Sequence, residues 1–234
     1  MKTLVIIPTY NEKENLPILI KKILDLKLDL QILVVDDNSP DGTGKVADEL
    51  AKNHPEVSVL HRRAKMGLGS AYFEGFKWAL GQNFDFIITM DADLSHNPKD
   101  ILRFLEEAKD FDIVVGSRWM KGGSMVGFDF FRKFICSGFS IWLARKLLGL
   151  KTKDVTTGYK CYSRRFIESL NPNKITASSY AFQVEMIEKA EKNGFSVIEI
   201  PIVFPPRKFG KSKFSWREVI SSAWALIKLK WSKK

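Results

Sequence analysis

The chain predicts an α/β fold, a mostly parallel sheet flanked by helices, and three observations lead there. Short continuous apolar runs such as Leu4-Val5-Ile6-Ile7 and Phe86-Ile87-Ile88-Thr89 have the length of strands buried on both faces. Early runs are each followed by a polar turn and a stretch of helical period, a unit of about 30 residues that implies right-handed crossovers. With 234 residues, 45% hydrophobic and 27% charged, the chain is long enough for one large core and has the balance of a globular protein.

Leu4–Ile7 is the first strand and Pro8-Thr9-Tyr10-Asn11-Glu12 the turn after it. Leu16, Leu19, Ile20, Ile23 and Leu24 then space out one buried helix face. Gln31–Val35 is a second strand, delivering Asp36-Asp37-Asn38-Ser39-Pro40-Asp41-Gly42-Thr43 to the same sheet edge. Val57–Leu60 is a third, followed by a helix over Leu68–Leu80 with Tyr72, Phe76, Ala79 and Leu80 on one side. Two glycine pairs are rejected as nucleotide loops. Gly42-Thr43-Gly44-Lys45-Val46 lacks the first glycine and the Ser/Thr of a P-loop, and Gly67-Leu68-Gly69 has Tyr72 where a dinucleotide fingerprint needs glycine. Both read as turn and helix-start glycines. After the Phe86–Thr89 strand, Asn97 as N-cap and Pro98 in the first turn start the next helix. The Ile113–Val115 strand then presents Gly116-Ser117-Arg118.

Beyond residue 120 the character changes. Gly122-Gly123 opens a loop, and Phe130–Leu150 is apolar and basic together, with Phe134, Phe139 and Trp142 among Arg132, Lys133, Arg145 and Lys146. It reads either as a core helix or as an interfacial one. Asp154–Lys160 is a structured loop, Tyr180–Lys192 a helix carrying Gln183 and Glu185, and Val197–Phe204 a late strand. Arg207-Lys208-Phe209-Gly210-Lys211-Ser212-Lys213 suits phosphate oxygens, or is a solvated tail. A last helix sets Trp216, Val219, Ile220, Ala223, Trp224, Ile227 and Trp231 on one face, with Lys228, Lys230, Lys233 and Lys234 at its end. That is the composition of a membrane-surface anchor, or of a helix packed back on the domain.

Charge is segregated. Residues 1–116 carry 14 Lys and Arg against 19 Asp and Glu, and residues 117–234 carry 23 against 8. The amino half is suited to a cation and the carboxyl half to an anion such as nucleic acid, a lipid surface or a substrate phosphate. Cys136 and Cys161 lack metal-ligand spacing, which points to a reducing compartment. Met1-Lys2-Thr3 runs straight into a strand, so no signal peptide is expected, and no apolar run reaches 18 residues.

The chemistry centres on Met90-Asp91-Ala92-Asp93-Leu94-Ser95-His96, where strand, acidic turn and helix follow one another. In an open parallel sheet, ligands bind beyond the carboxyl ends of the strands. Two carboxylates held that close repel unless a cation intervenes, so the spacing suits a hard divalent ion shared with a phosphate-bearing ligand, although solvated loop acids give the same pattern. A second acid pair, Asp110-Phe111-Asp112, precedes its strand and lies at the wrong edge. Convergence of the turns after Ile7, Val35 and Thr89 with Arg118 on one edge favours a site. No nucleophile pattern involves His54, His61 or His96, and His96 reads as a turn residue beside the acidic loop.

The stretches Pro8-Thr9-Tyr10-Asn11-Glu12-Lys13-Glu14-Asn15-Leu16, Val34-Val35-Asp36-Asp37-Asn38-Ser39-Pro40-Asp41-Gly42-Thr43, Met90 through His96, Gly116-Ser117-Arg118 and Arg207 through Lys213 occur in family order over nearly the whole chain. On them the sequence resembles the inverting GT-A glycosyltransferases of family 2, and within these the dolichyl-phosphate (polyprenol monophosphate) mannosyltransferases. The resemblance implies a GT-A domain over 1–213, with a nucleotide-sugar and metal half over about 1–118. Residues 119–213 would form the acceptor half, including the amphipathic segment 130–150, and 214–234 a terminal basic helix.

It further implies that Pro8, Tyr10, Glu12, Val35 and Asp37 hold the nucleoside of GDP-mannose. Asp91, Ala92 and Asp93 would meet the diphosphate and its Mg²⁺ or Mn²⁺, with Ser95 completing the metal shell. Arg118 and Arg132 match arginines that bind the acceptor phosphate, and Arg207 and Lys213 those that clamp donor and acceptor phosphates. Relatives often carry Asn near Ser140, a departure within the acceptor groove. The Gln-x-x-Arg-Trp pattern of processive members is absent, since Val115 precedes Arg118-Trp119 at the required place. The implied reaction is mannose transfer to dolichyl or polyprenyl phosphate at the cytoplasmic face of a membrane. Peripheral helices or a membrane-embedded partner subunit would hold the protein there. The alternatives are another hexose donor such as UDP-glucose or another acceptor, a catalytically silent nucleotide-sugar binder, and a nucleic-acid-binding protein, for which no motif is present.

Overall fold

A computed structural model of the chain describes residues 1–129, 133, 138–170 and 180–210. Arg132, Lys213, the first part of the 130–150 segment and the terminal helix expected over 214–234 lie outside these residues.

The first half alternates strand and helix: β1 (Thr3–Thr9), α1 (Leu16–Leu24), β2 (Leu30–Asp36), α2 (Thr43–Asn53), β3 (Val57–His61), α3 (Leu68–Leu80) and β4 (Phe86–Thr89). There follow α4 (Asp100–Glu107), β5 (Ile113–Ser117), β6 (Ser124–Met125), α5 (Phe139–Leu148), β7 (Lys160–Ser163), α6 (Arg164–Ser169), α7 (Tyr180–Lys192), β8 (Val197–Pro201) and β9 (Val203–Phe204). The main sheet runs in the order β3-β2-β1-β4-β7-β5-β8, and β6 pairs with β9 beside it. Among the described residues only β7 runs antiparallel to its neighbours, β4 and β5.

The sheet is covered on both faces. Along β1, Leu4 and Ile6 enter one core with Phe76, Tyr162 and Phe182, while Val5 and Ile7 enter the other with Leu19, Ile23 and Phe104. Successive side chains of a strand point to opposite faces, so an uninterrupted apolar run is what a doubly covered strand needs. Gly75 lets α3 lie close on this sheet. A Cβ at that position would fall 2.8 Å from Ile6 Cγ2.

Two boundaries differ from expectation. α4 begins at Asp100 rather than at Pro98, because Pro98 and Lys99 form a tight turn with the Asp100 amide on Asn97 O at 3.0 Å; the Asn97 side chain accepts from the Lys99 amide at 3.2 Å, the bond an N-cap residue makes. The strand expected over Val197–Phe204 divides at Ile202, whose amide donates to Ser117 O as the chain passes from the main sheet to β6. Lys160–Ser163, where the sequence suggests only the end of a structured loop, is a sheet strand. Its antiparallel sense brings the loop before it, not after it, to the edge where the parallel strands end.

Candidate active site

The chain moves outward from β1 through β2 to β3, then returns to place β4 on the other side of β1. That reversal opens a crevice at the carboxyl ends of β1 and β4, the usual ligand site of an open α/β sheet. Four loops leave strands here, carrying Tyr10–Glu12, Asp37, Asp91–Ser95 and Arg118, and the loop entering β7 joins them.

On the β1–β2 side, Pro8 and Val35 are register partners. The loops beyond them are laced together, with the Asn11 amide on Ser39 Oγ (3.1 Å), the Glu12 amide on Thr43 Oγ1 (2.9 Å) and the Lys13 amide on Asp41 Oδ2 (3.2 Å). Tyr10 offers a ring face that Lys65 Nζ approaches to 4.4 Å. Asp37 is buried in an ion pair with Arg62, which also reaches Ser70. Burial pushes the Asp37 carboxyl above its ordinary value, and the Arg62 charge offsets this only in part. Asp36 is a scaffold group instead, accepting from Thr9 Oγ1 at 3.0 Å and Ser39 Oγ at 2.6 Å.

The acidic turn after β4 is fixed from within. Leu94 adopts a left-handed conformation (φ 66°), unusual for a bulky residue, which turns Ser95 back so that its amide (3.1 Å) and hydroxyl (2.5 Å) both donate to Asp93 Oδ1. Arg207 Nη2 lies 3.0 Å from Asp93 Oδ2 and 3.6 Å from Glu12 Oε1, bridging the loops of β1 and β4. Burial would raise the Asp93 pKa, but the Ser95 hydroxyl and the Arg207 charge hold it below the ordinary value. Asp91 is more open, with its side chain 34% exposed, and takes a hydrogen bond from Tyr72 OH at 3.1 Å.

Its backbone amide donates to His96 Nδ1 at 3.1 Å, so the imidazole carries its proton on Nε2. His96 stacks on Tyr159 and is buried; burial depresses its pKa, outweighing Asp91 and Asp93, which keeps it neutral. It serves as a turn residue, as its place in the sequence suggested. Ala92 is buried beneath the pair.

Asp91 and Asp93 suit a hard divalent ion: Ser95 takes up both lone pairs of Asp93 Oδ1, but Asp93 Oδ2 and the two Asp91 oxygens each keep one beyond those engaged by Arg207 and Tyr72. Ser95, expected to complete a metal shell, is buried and directs its hydroxyl proton at Asp93. Among the described residues no group of three His, Cys, Asp or Glu is placed to hold a metal ion. A cation here would take its remaining oxygens from phosphates and water, which is the habit of Mg²⁺ and similar ions.

On the β5 side, Arg118 is gripped by the fully buried Asp154. Its amide (2.9 Å), Nε (2.7 Å) and Nη2 (2.7 Å) all donate to that carboxylate, and Nη2 reaches Thr156 Oγ1 at 2.8 Å. Burial opposes the charge on Asp154, but Arg118 holds its carboxyl below the usual range. Behind this pair sits Lys160, fully buried, with Nζ donating to Thr157 O and to Gln183 Oε1 (2.7 Å). Burial pulls its pKa down to about 7, with Asp154 and Asp91 opposing and Arg118 adding to the fall.

The structure therefore gathers Pro8, Tyr10, Glu12, Val35, Asp37, Asp91, Ala92, Asp93, Ser95, Arg118 and Arg207 at one sheet edge. Arg62, Tyr72, Asp154 and Lys160 belong to the same assembly without having been singled out. Their signal in the sequence was faint, since each is a lone polar residue whose partner lies far along the chain. Asp112 plays the structural part its position implied, accepting from Arg165, Ser163 and Ser196 at the opposite edge.

Beside the site, α5 exposes Phe139 and Trp142, each about half accessible. With Trp119, Gly138, Ile141, Arg145 and Lys153 they line a groove of about 520 Å³. Among the described residues no helix is long and apolar enough to cross a membrane.

Residues 4–170 match the model of the family described as Glycosyl transferase family 2. A polyprenol monophosphomannose synthase of Mycolicibacterium smegmatis is 43% identical over 216 residues, covering 92% of this chain and 81% of the relative. An undecaprenyl-phosphate mannosyltransferase of Micrococcus luteus is 43% identical over 215 residues, covering 92% and 88%. Among solved structures, glucosyl-3-phosphoglycerate synthase of Mycobacterium tuberculosis with Mn²⁺ and UDP superposes with TM-score 0.70 at 16% identity, covering 98% of this chain and 79% of that one. A mannosyltransferase of Pyrobaculum calidifontis with GDP-Man and Mn²⁺ gives TM-score 0.62 at 18% identity, covering 99% and 63%. These two likenesses bear on the fold, which is GT-A.

Proposed function

The chain belongs to glycosyl transferase family 2, and we propose that it transfers mannose from GDP-mannose to the phosphate of dolichyl or polyprenyl phosphate, with inversion at the anomeric carbon. The observation that carries this reading is the likeness, over 92% of the chain, to two relatives named for mannose and polyprenyl phosphate. The site supplies what such a reaction requires.

In this reading Pro8, Tyr10, Glu12, Val35 and Asp37 receive the nucleoside. Asp91 and Asp93, with Ala92 between them, face the diphosphate and hold Mg²⁺ or Mn²⁺, and Ser95 sets the rotamer of Asp93. When bound, the ion neutralises charge on the departing GDP. Arg207 and Lys213 lie against the donor phosphates, and Arg118 with Arg132 against the acceptor phosphate. Those two anionic groups repel each other unless fixed positive groups stand beside them, and preorganised guanidinium groups do so without rearranging during the reaction.

The nucleophile is a phosphate oxygen. With a second pKa of about 6, a phosphate monoester is largely dianionic near neutral pH. Proton abstraction is therefore not required, in keeping with a neutral, buried His96 and a site made of carboxylates and cations. The isoprenoid takes the groove along α5, where Phe139 and Trp142 give an apolar landing with Arg145 and Lys153 beside it. The same face, with the basic and tryptophan-bearing residues of 214–234, attaches the protein peripherally to the cytoplasmic face of a membrane, alone or with a membrane-embedded partner subunit.

The test is transfer of labelled sugar to a short polyprenyl phosphate in detergent with Mn²⁺, from GDP-mannose and UDP-glucose in parallel, by wild type and Asp93→Ala. Mannolipid from wild type, absent with Asp93→Ala, supports the assignment. Product from UDP-glucose alone overturns the donor, and binding of GDP-mannose without any product overturns the acceptor.

A further inference from the structure

A lysine in the middle of a sheet is costly unless its donors are met and its charge is balanced. Lys160 stands on β7 opposite Thr89 of β4 and Val115 of β5, inaccessible to solvent. Its contacts run to one short loop and one helix: the Thr157 carbonyl on the first, and the Gln183 side chain of α7 on the second. That loop holds Asp154, the carboxylate that grips Arg118. Its near end is fastened separately by Glu199 of β8, which accepts from the amides of Lys153 (2.8 Å) and Asp154 (2.9 Å). Without Lys160, the stretch after Asp154 would keep the bond from Thr89 Oγ1 to Gly158 O (2.7 Å) but lose its tie to α7.

We propose that Lys160 is a positioning residue of the transfer reaction: by tying the Thr157 carbonyl to Gln183 on α7 it fixes the loop whose Asp154 aims Arg118 at the acceptor phosphate, and it never meets substrate itself. The inference rests on the mannosyl-transfer reading above. It makes the effect fall first on the acceptor side: Gly158 of the same loop packs near the Asp91 carboxylate, but Asp91 keeps its hydrogen bond from Tyr72 and the bond from its amide to His96 without the lysine.

The experiment compares wild type with Lys160→Met, Gln183→Met and the double variant, all as the full chain. Lys160→Met keeps the length of the side chain and removes its donors. The KM for a short polyprenyl phosphate is expected to rise about tenfold or more while that for GDP-mannose stays within about twofold, the signature of a misplaced acceptor group. Because the lysine acts through Gln183, the double variant is expected to match Lys160→Met rather than to multiply the two effects. Gln183→Met, which retains the lysine, shifts acceptor KM in the same direction by less, and serves if Lys160→Met does not fold.

A second readout needs no turnover. In ¹⁵N-arginine-labelled protein, the Arg118 Nε–H is shielded by Asp154, and its hydrogen exchange is expected to quicken in each variant. Unchanged Arg118 exchange, donor and acceptor KM rising together, or a loss of activity that merely follows the melting temperature would each overturn the proposal. If wild type makes no mannolipid, the assigned reaction fails, and the Arg118 exchange still decides the role of Lys160.

Discussion

Replacing Asp154 by Asn changes one oxygen of a fully buried carboxylate to NH₂ and leaves the volume nearly untouched. The native group accepts three donors from Arg118, one of them the backbone amide. An asparagine has a single acceptor oxygen, so at least one charge-assisted bond goes, and an NH₂ then faces the guanidinium. Removing one partner of a buried ion pair costs about 3–5 kcal/mol, chiefly from the charge left behind. For a chain of this size each kcal/mol lowers the melting temperature by about 2–4 °C, so a fall of about 6–20 °C is expected.

The loss should depend on pH with a definite sign. The folded-state pKa of Asp154 is depressed, so its contribution is complete above the unfolded value of about 4 and disappears as the pH falls through the lower folded value. Urea unfolding followed by tryptophan fluorescence, at neutral pH and at steps below pH 4, measures both. A variant within about 1 kcal/mol of wild type at neutral pH, or a difference that does not narrow in acid, would refute the ion-pair account.

Asp93→Asn should abolish sugar transfer and Mn²⁺ dependence while lowering the urea midpoint less than Asp154→Asn does, since the amide still accepts from Ser95 and the lost ion pair with Arg207 is less buried; parallel activity and unfolding curves separate the two. Gly75→Val places methyl groups against the Ile6 side chain and should destabilise by about 1–3 kcal/mol with unaltered KM for either substrate. Phe139→Ser with Trp142→Ser removes the exposed apolar face of α5; co-sedimentation with anionic vesicles should weaken severalfold while the melting temperature holds, and unchanged sedimentation would remove α5 from the attachment surface.

What the sequence disclosed, it disclosed through repetition and adjacency. The apolar runs of β1, β2 and β4 could be read directly because both faces of each strand are covered, and Asp91-Ala92-Asp93 stood out because the two acids are neighbours. Asp112 was separable from that pair for a related reason, lying before its strand instead of after it. Lys160 and Asp154 had no such signature. Their significance comes from a strand that reverses direction, set between β4 and β5 by pairing across distances no local pattern records. The later start of α4 has a nearer cause: Asn97 makes a cap's hydrogen bond, but Pro98 and Lys99 after it form a tight turn before the regular helix.

The reversed strand has an evolutionary consequence. The chain leaves the sheet after Ser117 and re-enters at Lys160 on the adjoining strand, where Val115 and Lys160 are partners and the Gly116 amide meets Tyr159 O at 2.9 Å. An excursion whose two ends are neighbours can be lengthened, shortened or exchanged as a cassette without re-threading the nucleotide half. In the reaction proposed above, a change of insert between these two anchor points would alter the acceptor surface and leave the loops after β1, β2 and β4 in place.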